Sequence, residues 1–142
     1  MPRPVTVTID VTATPTRVWD ALTDPAQIKQ YLFGTEAVCD WRVGSPLRFR
    51  GALEGKTYED KGTILESAPG KRLSYSYWSS MGGLPDTPDH YRTVTFDIVA
   101  HGATTRLALT QGTIKTDTDE TMAHTASNWT MVLDGLKKLI EV

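Results

Sequence analysis

Cysteine is almost absent from this sequence of 142 residues, in which Cys39 is the single one. One cysteine excludes an intrachain disulfide, and its scarcity is typical of a reducing compartment. The sequence also lacks any run that approaches the roughly 18 apolar residues of a membrane-spanning helix. Its N-terminus, MPRPVTVTID, has no apolar segment of the kind found in signal peptides. These absences predict a cytoplasmic protein with no membrane span.

An excess of positive charge is absent as well. The chain carries 15 Lys and Arg against 17 Asp and Glu, a formal net charge of −2. Binding to nucleic acid depends on a basic patch, so this balance predicts no nucleic-acid partner. No linker or internal repeat divides the chain, and its length suits one hydrophobic core. We therefore expect residues 1–142 to form a single domain.

Motifs for catalysis and for cofactors are missing. The three histidines, His90, His101 and His124, lack the HExxH spacing of a zinc site. No GxSxG elbow, phosphate-binding loop or dinucleotide fingerprint occurs. The sequence therefore predicts no metal and no cofactor, and it assigns no catalytic residue. The adjacent Glu59 and Asp60 should project from opposite faces of a strand, where both are expected to be solvated.

The sequence contains a regular succession of strand patterns. In VTVTIDV, residues 5–11, apolar and polar residues alternate, which is typical of a strand with one buried face. Six further runs with strand character are separated by short turn signals such as Pro69-Gly70. Turns of hairpin length predict an antiparallel meander. The six runs cover residues 37–43, 46–53, 57–66, 71–79, 90–99 and 104–112.

Three helices are predicted beside this sheet. Two short ones begin at Thr14-Pro15 and Asp24-Pro25, each a capping residue followed by proline. A long one of about 25 residues should start near Asp117, which together with Glu120 resembles a capping box, although the motif prefers Ser or Thr at the cap. We expect an α+β fold in which the sheet wraps the long helix and the short helices close one end. The apolar stripe of the long helix comprises Met122, Ala126, Trp129, Leu133, Leu136 and Ile140.

Five segments carry a resemblance to a known superfamily. They are TPTRVWDALTDPAQIKQYLFG, VGSPLRF, KGTILESAPGKRLSYSYW, TRLALTQ and NWTMVLDGLKKLIEV. Together they resemble the SRPBCC or START-like superfamily, which includes the Bet v-like proteins, within its group similar to the activator of heat-shock-protein-90 ATPase. The resemblance implies the helix-grip fold, β-α-α-β6-α, whose curved sheet and C-terminal helix enclose a cavity. Members bind lipids, hormones or polyketides, and some are cyclases or hydrolases, so the fold alone does not choose an activity.

The meander also predicts where such a cavity opens. Successive turns lie at alternating ends of a sheet, which brings four connections to the end where the long helix begins. We expect the mouth at that end. The loop SMGGLPDTPD, residues 80–89, is compatible with a lid and with an ordinary solvated loop. The four connections are residues 32–36, 53–56, 80–89 and 112–117.

Strand alternation names candidate ligand-binding residues. His90 and Arg92 share a strand face with Val94 and Phe96, so both should point inward. A β-bulge would turn them to solvent instead. Arg92 is alternatively a rim arginine paired with an acid, namely Asp86, Asp89 or Asp117. Trp129 is either the floor of the cavity or a packed core residue. The full candidate set is Phe49, Tyr75, Tyr77, His90, Arg92, Phe96, Met122 and Trp129.

Three functions from different classes follow from these observations. The favoured one is binding of a small apolar or amphipathic molecule in a hydrophobic cavity. The second is a cavity enzyme in which His90 or a tyrosine is the general acid or base and Arg92 stabilises negative charge. The third is a chaperone-binding module, but the activators that the chain resembles carry an additional N-terminal domain, which argues against chaperone contact. A homodimer remains open.

Overall fold

The alternating strand patterns and the two proline-capped helices define the order of elements along the chain. The computed structural model describes residues 2–141, apart from the side chain of Leu53. Two single-turn 3-10 helices, Ser80–Gly82 and Pro88–His90, lie between β5 and β6. The elements are β1 (Val5–Val11), α1 (Pro15–Thr23), α2 (Pro25–Tyr31), β2 (Glu36–Val38), β3 (Pro46–Leu53), β4 (Lys56–Ala68), β5 (Arg72–Ser79), β6 (Arg92–His101), β7 (Thr104–Gln111) and α3 (Asp119–Ile140).

Within the described residues, seven strands form one antiparallel sheet in the order β1-β7-β6-β5-β4-β3-β2. Strands β2 to β7 pair with their sequence neighbours. Strand β1 returns beside β7, with Val5 opposite Gln111 and Val11 opposite Thr105. Val5 and Val11 are buried whereas Thr8 is exposed, as the alternation predicted. The sheet, the two short helices and the long C-terminal helix confirm the predicted α+β helix-grip fold.

Helices α1 and α2 are too short to be stable alone, so they depend on caps and packing. Thr14 Oγ1 accepts a hydrogen bond from the Arg17 N–H at 3.2 Å, and Asp24 Oδ1 accepts one from the Ala26 N–H at 3.0 Å. Helix α1 packs against β6 and α3, and α2 packs against β2 and α3. Both helices therefore cover part of the core. Their buried side chains are Val18, Ala21, Leu22 and Ile28.

The long helix α3 begins slightly later than expected and has a different cap. Its capping box joins Thr118 and Thr121, whose backbone N–H groups donate to each other's hydroxyls at 2.8 and 3.1 Å. The predicted box of Asp117 and Glu120 is wrong. Asp117 is buried and its carboxylate accepts a hydrogen bond from the Ile114 N–H at 2.9 Å instead.

The two halves of α3 are buried to different extents. In the first half Met122 is the fully buried residue among those described, and Trp129 in the middle is partly buried. In the second half four apolar side chains enter the core. They are Val132, Leu133, Leu136 and Ile140. The core therefore concentrates beneath the end of α3, and the packing is looser near its start.

Strand β2 is shorter than the predicted run of residues 37–43. It ends at Val38, because the chain then turns away from the sheet. Asp40 Oδ1 accepts a hydrogen bond from the Arg42 N–H at 3.0 Å, which is an Asx-turn. Trp41 has a positive φ of 63°. A side-chain hydrogen bond thus competes with strand pairing at this position.

Candidate ligand-binding cleft

A cleft of about 390 Å³ opens between the inner face of the sheet and the middle of α3. Asn128 and Trp129 of α3 form one side, and strands β3, β4 and β5 form the other. Leu32, Phe33 and Met81 lie at its edge. The volume is in the usual range of small-molecule sites, about 300 to 1,000 Å³. Residues from the connections 32–36 and 80–89 line the cleft, and these are two of the four connections that were expected at the mouth.

One wall of the cleft is a packed group of aromatic rings. The Phe49 ring centroid lies 6.2 Å from that of Tyr75 and 6.5 Å from that of Tyr77. Behind Tyr75, the Phe96 ring lies at 6.2 Å and meets Trp129 edge-on at 6.0 Å. Tilted and edge-to-face pairs at these distances are attractive beyond simple burial. The wall is therefore apolar and well ordered by contacts among its own rings.

Trp129 both lines the cleft and packs into the core. Its indole Nε1–H donates to Gln111 Oε1 at 2.8 Å, and Gln111 is buried on β7. This hydrogen bond satisfies the one polar group of the indole and sets the ring orientation. The two interpretations that the sequence left open are therefore compatible, since one face contacts the core and another borders the cleft.

The polar end of the cleft is formed by Asp60 and Tyr77. The Tyr77 hydroxyl donates to Asp60 Oδ2 at 2.6 Å. Asp60 Oδ1 is also buried, and among the described residues no group donates to it. Asp60 points inward because it lies opposite Phe49 in the sheet register and four residues before the buried Ile64. The expectation that Asp60 is solvated is wrong.

Glu59 differs from its neighbour because it projects from the outer face of the sheet. Its carboxylate accepts hydrogen bonds from Arg48 Nη1 at 2.6 Å and from Arg50 Nε at 2.9 Å. These arginines flank Phe49 on β3, so alternation places them on the face opposite the cleft. The prediction that Glu59 and Asp60 lie on opposite faces is thus confirmed.

Tyr75 and Tyr77 remain neutral over the physiological pH range. Burial, together with the charge and hydrogen bond of Asp60, raises the pKa of Tyr77 well above its usual value. Burial also raises the pKa of Tyr75, with a smaller contribution from the charge of Asp60. A neutral phenol donates a hydrogen bond, so Tyr77 supports the Asp60 carboxylate as a fixed donor.

A second hydrogen-bonded pair, Thr35 and Tyr58, borders the cleft near α2. The Thr35 hydroxyl and the Tyr58 hydroxyl lie 2.5 Å apart. The Tyr58 ring crosses over Gly51, where a Cβ atom would collide with the ring. Glycine at this position therefore permits the tyrosine to lie flat on β3 and reach Thr35. The pair closes one side of the cleft without adding charge.

Two large apolar side chains at the edge face solvent. Phe33 is 70% exposed and Met81 is 54% exposed. Phe33 also has a positive φ of 55°, which a bulky residue rarely adopts. Both residues line the cleft, and they belong to the connections that follow α2 and β5. The edge of the cleft is therefore apolar and accessible.

The structure brings together some of the predicted site residues and separates others. Phe49, Tyr75, Tyr77 and Trp129 line the cleft, and Phe96 lies just behind them. Met122 is buried earlier on α3 and does not line the cleft. Sequence patterns did not identify Asp60, Tyr58, Thr35 or Asn128 as lining residues. Counting back along β4 from Ile64 would have found Asp60 and Tyr58, whereas no periodic signal marks Thr35 in its loop.

His90 and Arg92 lie outside the cleft, and each has a physical reason to do so. Strand β6 begins at Arg92, so strand alternation does not extend to His90 in the preceding 3-10 turn. The His90 Nδ1 atom instead lies 2.8 Å from the Pro85 carbonyl oxygen. The Arg92 guanidinium pairs with Asp117 at 2.5 and 3.1 Å, which is one of the alternatives that the sequence left open.

This ion pair perturbs a buried carboxyl group. Burial raises the pKa of Asp117, but hydrogen bonds from Arg92 and from the Ile114 N–H outweigh burial and hold the pKa below its usual value. The Asp117 side chain is only 2% exposed and that of Arg92 is 21% exposed. The pair thus anchors the segment before α3 to β6 at the end of the sheet. Its role is therefore structural.

Residues 2–141 contain no group of three or more His, Cys, Asp and Glu that could hold a metal ion. None of the described helices is both long enough and apolar enough to cross a membrane. The Cys39 thiol is partly buried, and burial raises its pKa, which disfavours the reactive thiolate. Among the described residues that line the cleft, the polar side chains are those of Thr35, Tyr58, Asp60, Tyr75, Tyr77 and Asn128.

Comparisons with solved structures find the same architecture in bacterial proteins. The structure of ChR145 from Cytophaga hutchinsonii is 38% identical, with a TM-score of 0.84 over 99% of this chain and 97% of that one. The Aha1 dimer from Colwellia psychrerythraea is 19% identical, with a TM-score of 0.76 over 98% of this chain and 96% of that one. DynU16, from the dynemicin biosynthetic locus, is 18% identical, with a TM-score of 0.82 over 100% of this chain and 48% of that one. No curated protein matches the sequence significantly.

The curved antiparallel sheet, the long C-terminal helix and the cleft between them define a protein of the helix-grip class, in agreement with the SRPBCC superfamily. The family model described as "Activator of Hsp90 ATPase homolog 1-like protein" matches residues 12–141. The chain therefore belongs to this family. The resemblance that the sequence segments indicated is confirmed.

Proposed function

We propose that the protein binds a small apolar or amphipathic molecule in the cleft between the sheet and α3. The observation that carries this proposal is an accessible cleft of about 390 Å³ with a packed aromatic wall and one polar end. Sites for small molecules are typically concave and mostly apolar, with a few polar groups that set orientation. Phe49, Tyr75 and Trp129 supply the apolar contact, while Asp60 and Tyr77 supply the polar one.

The energetics favour an occupant with an apolar body. Removing apolar surface from water contributes about 25 cal/mol per Å². Rings that already pack against one another lose little conformational freedom when a ligand arrives, which lowers the entropic cost of binding. The exposed Phe33 and Met81 provide further apolar surface at the entrance. The loop that contains Met81 is compatible with a lid and with an ordinary solvated loop, the two alternatives that the sequence left open.

A cavity enzyme is the second candidate, and one contact favours it. The short hydrogen bond between the Tyr77 hydroxyl and Asp60, at 2.6 Å, is a pair that could transfer a proton to a bound substrate. The sequence offered His90 and Arg92 for this chemistry, but they lie away from the cleft. An enzymatic role therefore depends on the tyrosine and the carboxylate alone. Turnover that Tyr77→Phe abolishes, with ligand affinity retained, would favour this candidate.

Native mass spectrometry of the purified protein tests the binding proposal. We expect a small molecule that co-purifies and is released on denaturation. Asn128→Trp places a large ring at the cleft, and Ser127→Trp makes the same change one residue earlier, outside its lining. Both positions are exposed on α3, so both variants should fold. We expect Asn128→Trp to lose the bound molecule and Ser127→Trp to retain it.

The opposite result has a definite meaning. A protein that is empty, and whose thermal unfolding is unchanged by panels of lipids, polyketides and aromatic compounds, would contradict the proposal. A protein partner, such as the chaperone that the family description suggests, would then be tested first by co-purification. Equal retention of a bound molecule in both tryptophan variants would place its binding site elsewhere.

A further inference from the structure

The charge within the cleft has one sign. Asp60 is the one ionisable group other than tyrosine among the described residues that line it, and no Lys, Arg or His takes part. On the outer face, by contrast, Glu59 pairs with Arg48 and Arg50, and Asp86 pairs with Lys61 at 2.5 Å. The Asp60 carboxylate has no such counter-ion within the part of the chain that the structure describes. A ligand therefore meets an unbalanced negative group.

The hydrogen bonding of Asp60 is also incomplete on one side. Tyr77 donates to Oδ2, whereas the buried Oδ1 has no donor among residues 2–141. A buried polar atom without a partner is costly, and most such atoms in folded proteins are paired. A carboxylate oxygen only accepts hydrogen bonds, so its missing partner must be a donor. A ligand that fills the cleft and carries a donor would complete this arrangement.

The aromatic wall adds a second preference. The faces of aromatic rings attract cations, most strongly where water is excluded. The ring centroids of Phe49 and Tyr77 lie 6.5 Å apart, and both residues line the cleft together with Asp60 and Trp129. A carboxylate combined with aromatic rings matches an organic cation better than it matches a neutral or negative group. Fatty acids and other carboxylates would place two negative charges together at the polar end.

We infer that the cleft selects an amphipathic molecule that carries a protonated amine, with the amine at Asp60 and the apolar body against the aromatic wall. This inference rests on the proposed function, because it names the ligand class of the same cleft. The amine donates to Asp60 and neutralises its charge, while Tyr77 holds the other carboxylate oxygen. Charge-assisted hydrogen bonds are stronger than neutral ones, so a protonated amine should bind Asp60 more tightly than a neutral alcohol does.

Three probes with one aromatic body test the inference by isothermal titration calorimetry. They are naphthylethylamine, naphthylethanol and naphthylacetic acid, which differ in the head group. We expect the amine to bind about tenfold more tightly than the alcohol. The acid should bind most weakly, because its carboxylate faces Asp60. This ranking requires no variant, so it tests the inference in the unaltered protein.

Two neighbouring variants on β4 then locate the preference. Asp60→Asn keeps the shape but removes the charge, and we expect it to weaken amine binding about tenfold while alcohol binding changes little. Glu59→Gln removes a charge from the outer face and should leave the ranking unchanged. An amine that binds no better than the alcohol, or a preference that survives Asp60→Asn, would overturn the inference and leave the cleft as an unselective apolar site. Failure of all three probes, with no co-purified molecule, would overturn the proposed function itself.

Discussion

At the residue scale, the polar end of the cleft depends on the hydrogen bond that the Tyr77 hydroxyl donates to the Asp60 carboxylate. This hydroxyl remains protonated because burial and the neighbouring carboxylate raise its pKa. The adjacent inward-facing tyrosine, Tyr75, makes no such contact among the described residues, although its ring packs in the same wall. The two residues therefore provide a comparison in which one hydrogen bond is the main difference.

Tyr77→Phe should destabilise the protein more than Tyr75→Phe. Removing the Tyr77 hydroxyl leaves both carboxylate oxygens of Asp60 without a donor, at a cost of about 1 to 3 kcal/mol. Tyr75→Phe removes a hydroxyl that has no hydrogen-bond partner in the described structure, so the free energy of unfolding should stay nearly constant. Urea denaturation of both variants measures the difference. Equal losses would contradict the importance of the Tyr77 hydrogen bond.

At the element scale, single side-chain contacts join segments that the sheet leaves separate. The pair of Arg92 and Asp117 ties the segment before α3 to the start of β6. On β4, a Cβ atom at Gly62 would collide with the Ser76 carbonyl, so glycine permits the close approach of β5. These contacts set where α3 begins and how the strands that line the cleft lie beside each other.

Arg92→Met should cost about 3 kcal/mol at neutral pH, because it leaves the buried Asp117 without its partner. In the wild type the pKa of Asp117 is lowered by folding. The pair therefore stabilises the protein fully above the unfolded pKa of about 3.9, and this stability is lost as the pH falls through the folded pKa. The difference between wild type and variant in urea denaturation should be large at pH 7 and smaller at pH 3.

Arg72→Met is the matched control for this experiment. Arg72 pairs with Glu66 and Asp97, but all three side chains are 41% to 54% exposed. Exposed pairs contribute up to about 1 kcal/mol, so this variant should lose little stability at either pH. A loss equal to that of Arg92→Met would contradict the special role of the buried pair.

At the scale of the whole molecule, the two ends of α3 have different environments. The second half packs its apolar side chains into the core with Val11, Leu107 and Leu109 of β1 and β7. The first half lies beside the looser region that leads to the cleft. Packing is therefore polarised along the helix, with a dense half that stabilises the fold and a more open half near the candidate site.

Hydrogen exchange should follow this polarity. Backbone amides of residues 132–140 are expected to exchange at rates close to those of β6 and β7, whereas amides of residues 121–128 should exchange faster, because fewer buried side chains hold that half. A ligand bound in the cleft should slow exchange in the first half of α3 selectively. Mass spectrometry resolves the two peptides. Equal protection of the backbone amides along the whole of α3 would contradict this difference in packing between its two halves.

Much of the fold could be predicted from the sequence, and less of the site. The alternation in β1 and the capped starts of α1 and α2 are local signals, and the structure confirms them. The end of β2 and the start of β6 were misjudged, because the Asp40 turn and the turn from Pro88 to His90 compete with strand pairing. The candidate site was predicted in its aromatic part, where alternation applies.

The sequence by itself determined most of the apolar residues that face the core, because strand and helix periodicities depend only on local backbone geometry. That was sufficient for the meander, the long helix and the inward direction of Phe49, Tyr75 and Tyr77. Only the tertiary structure decided which polar groups meet. Asp60 joins Tyr77, and Arg92 joins Asp117 rather than the cleft, through contacts between residues 17 and 25 positions apart. Side-chain partners depend on packing in three dimensions, and sequence periodicity carries no such information.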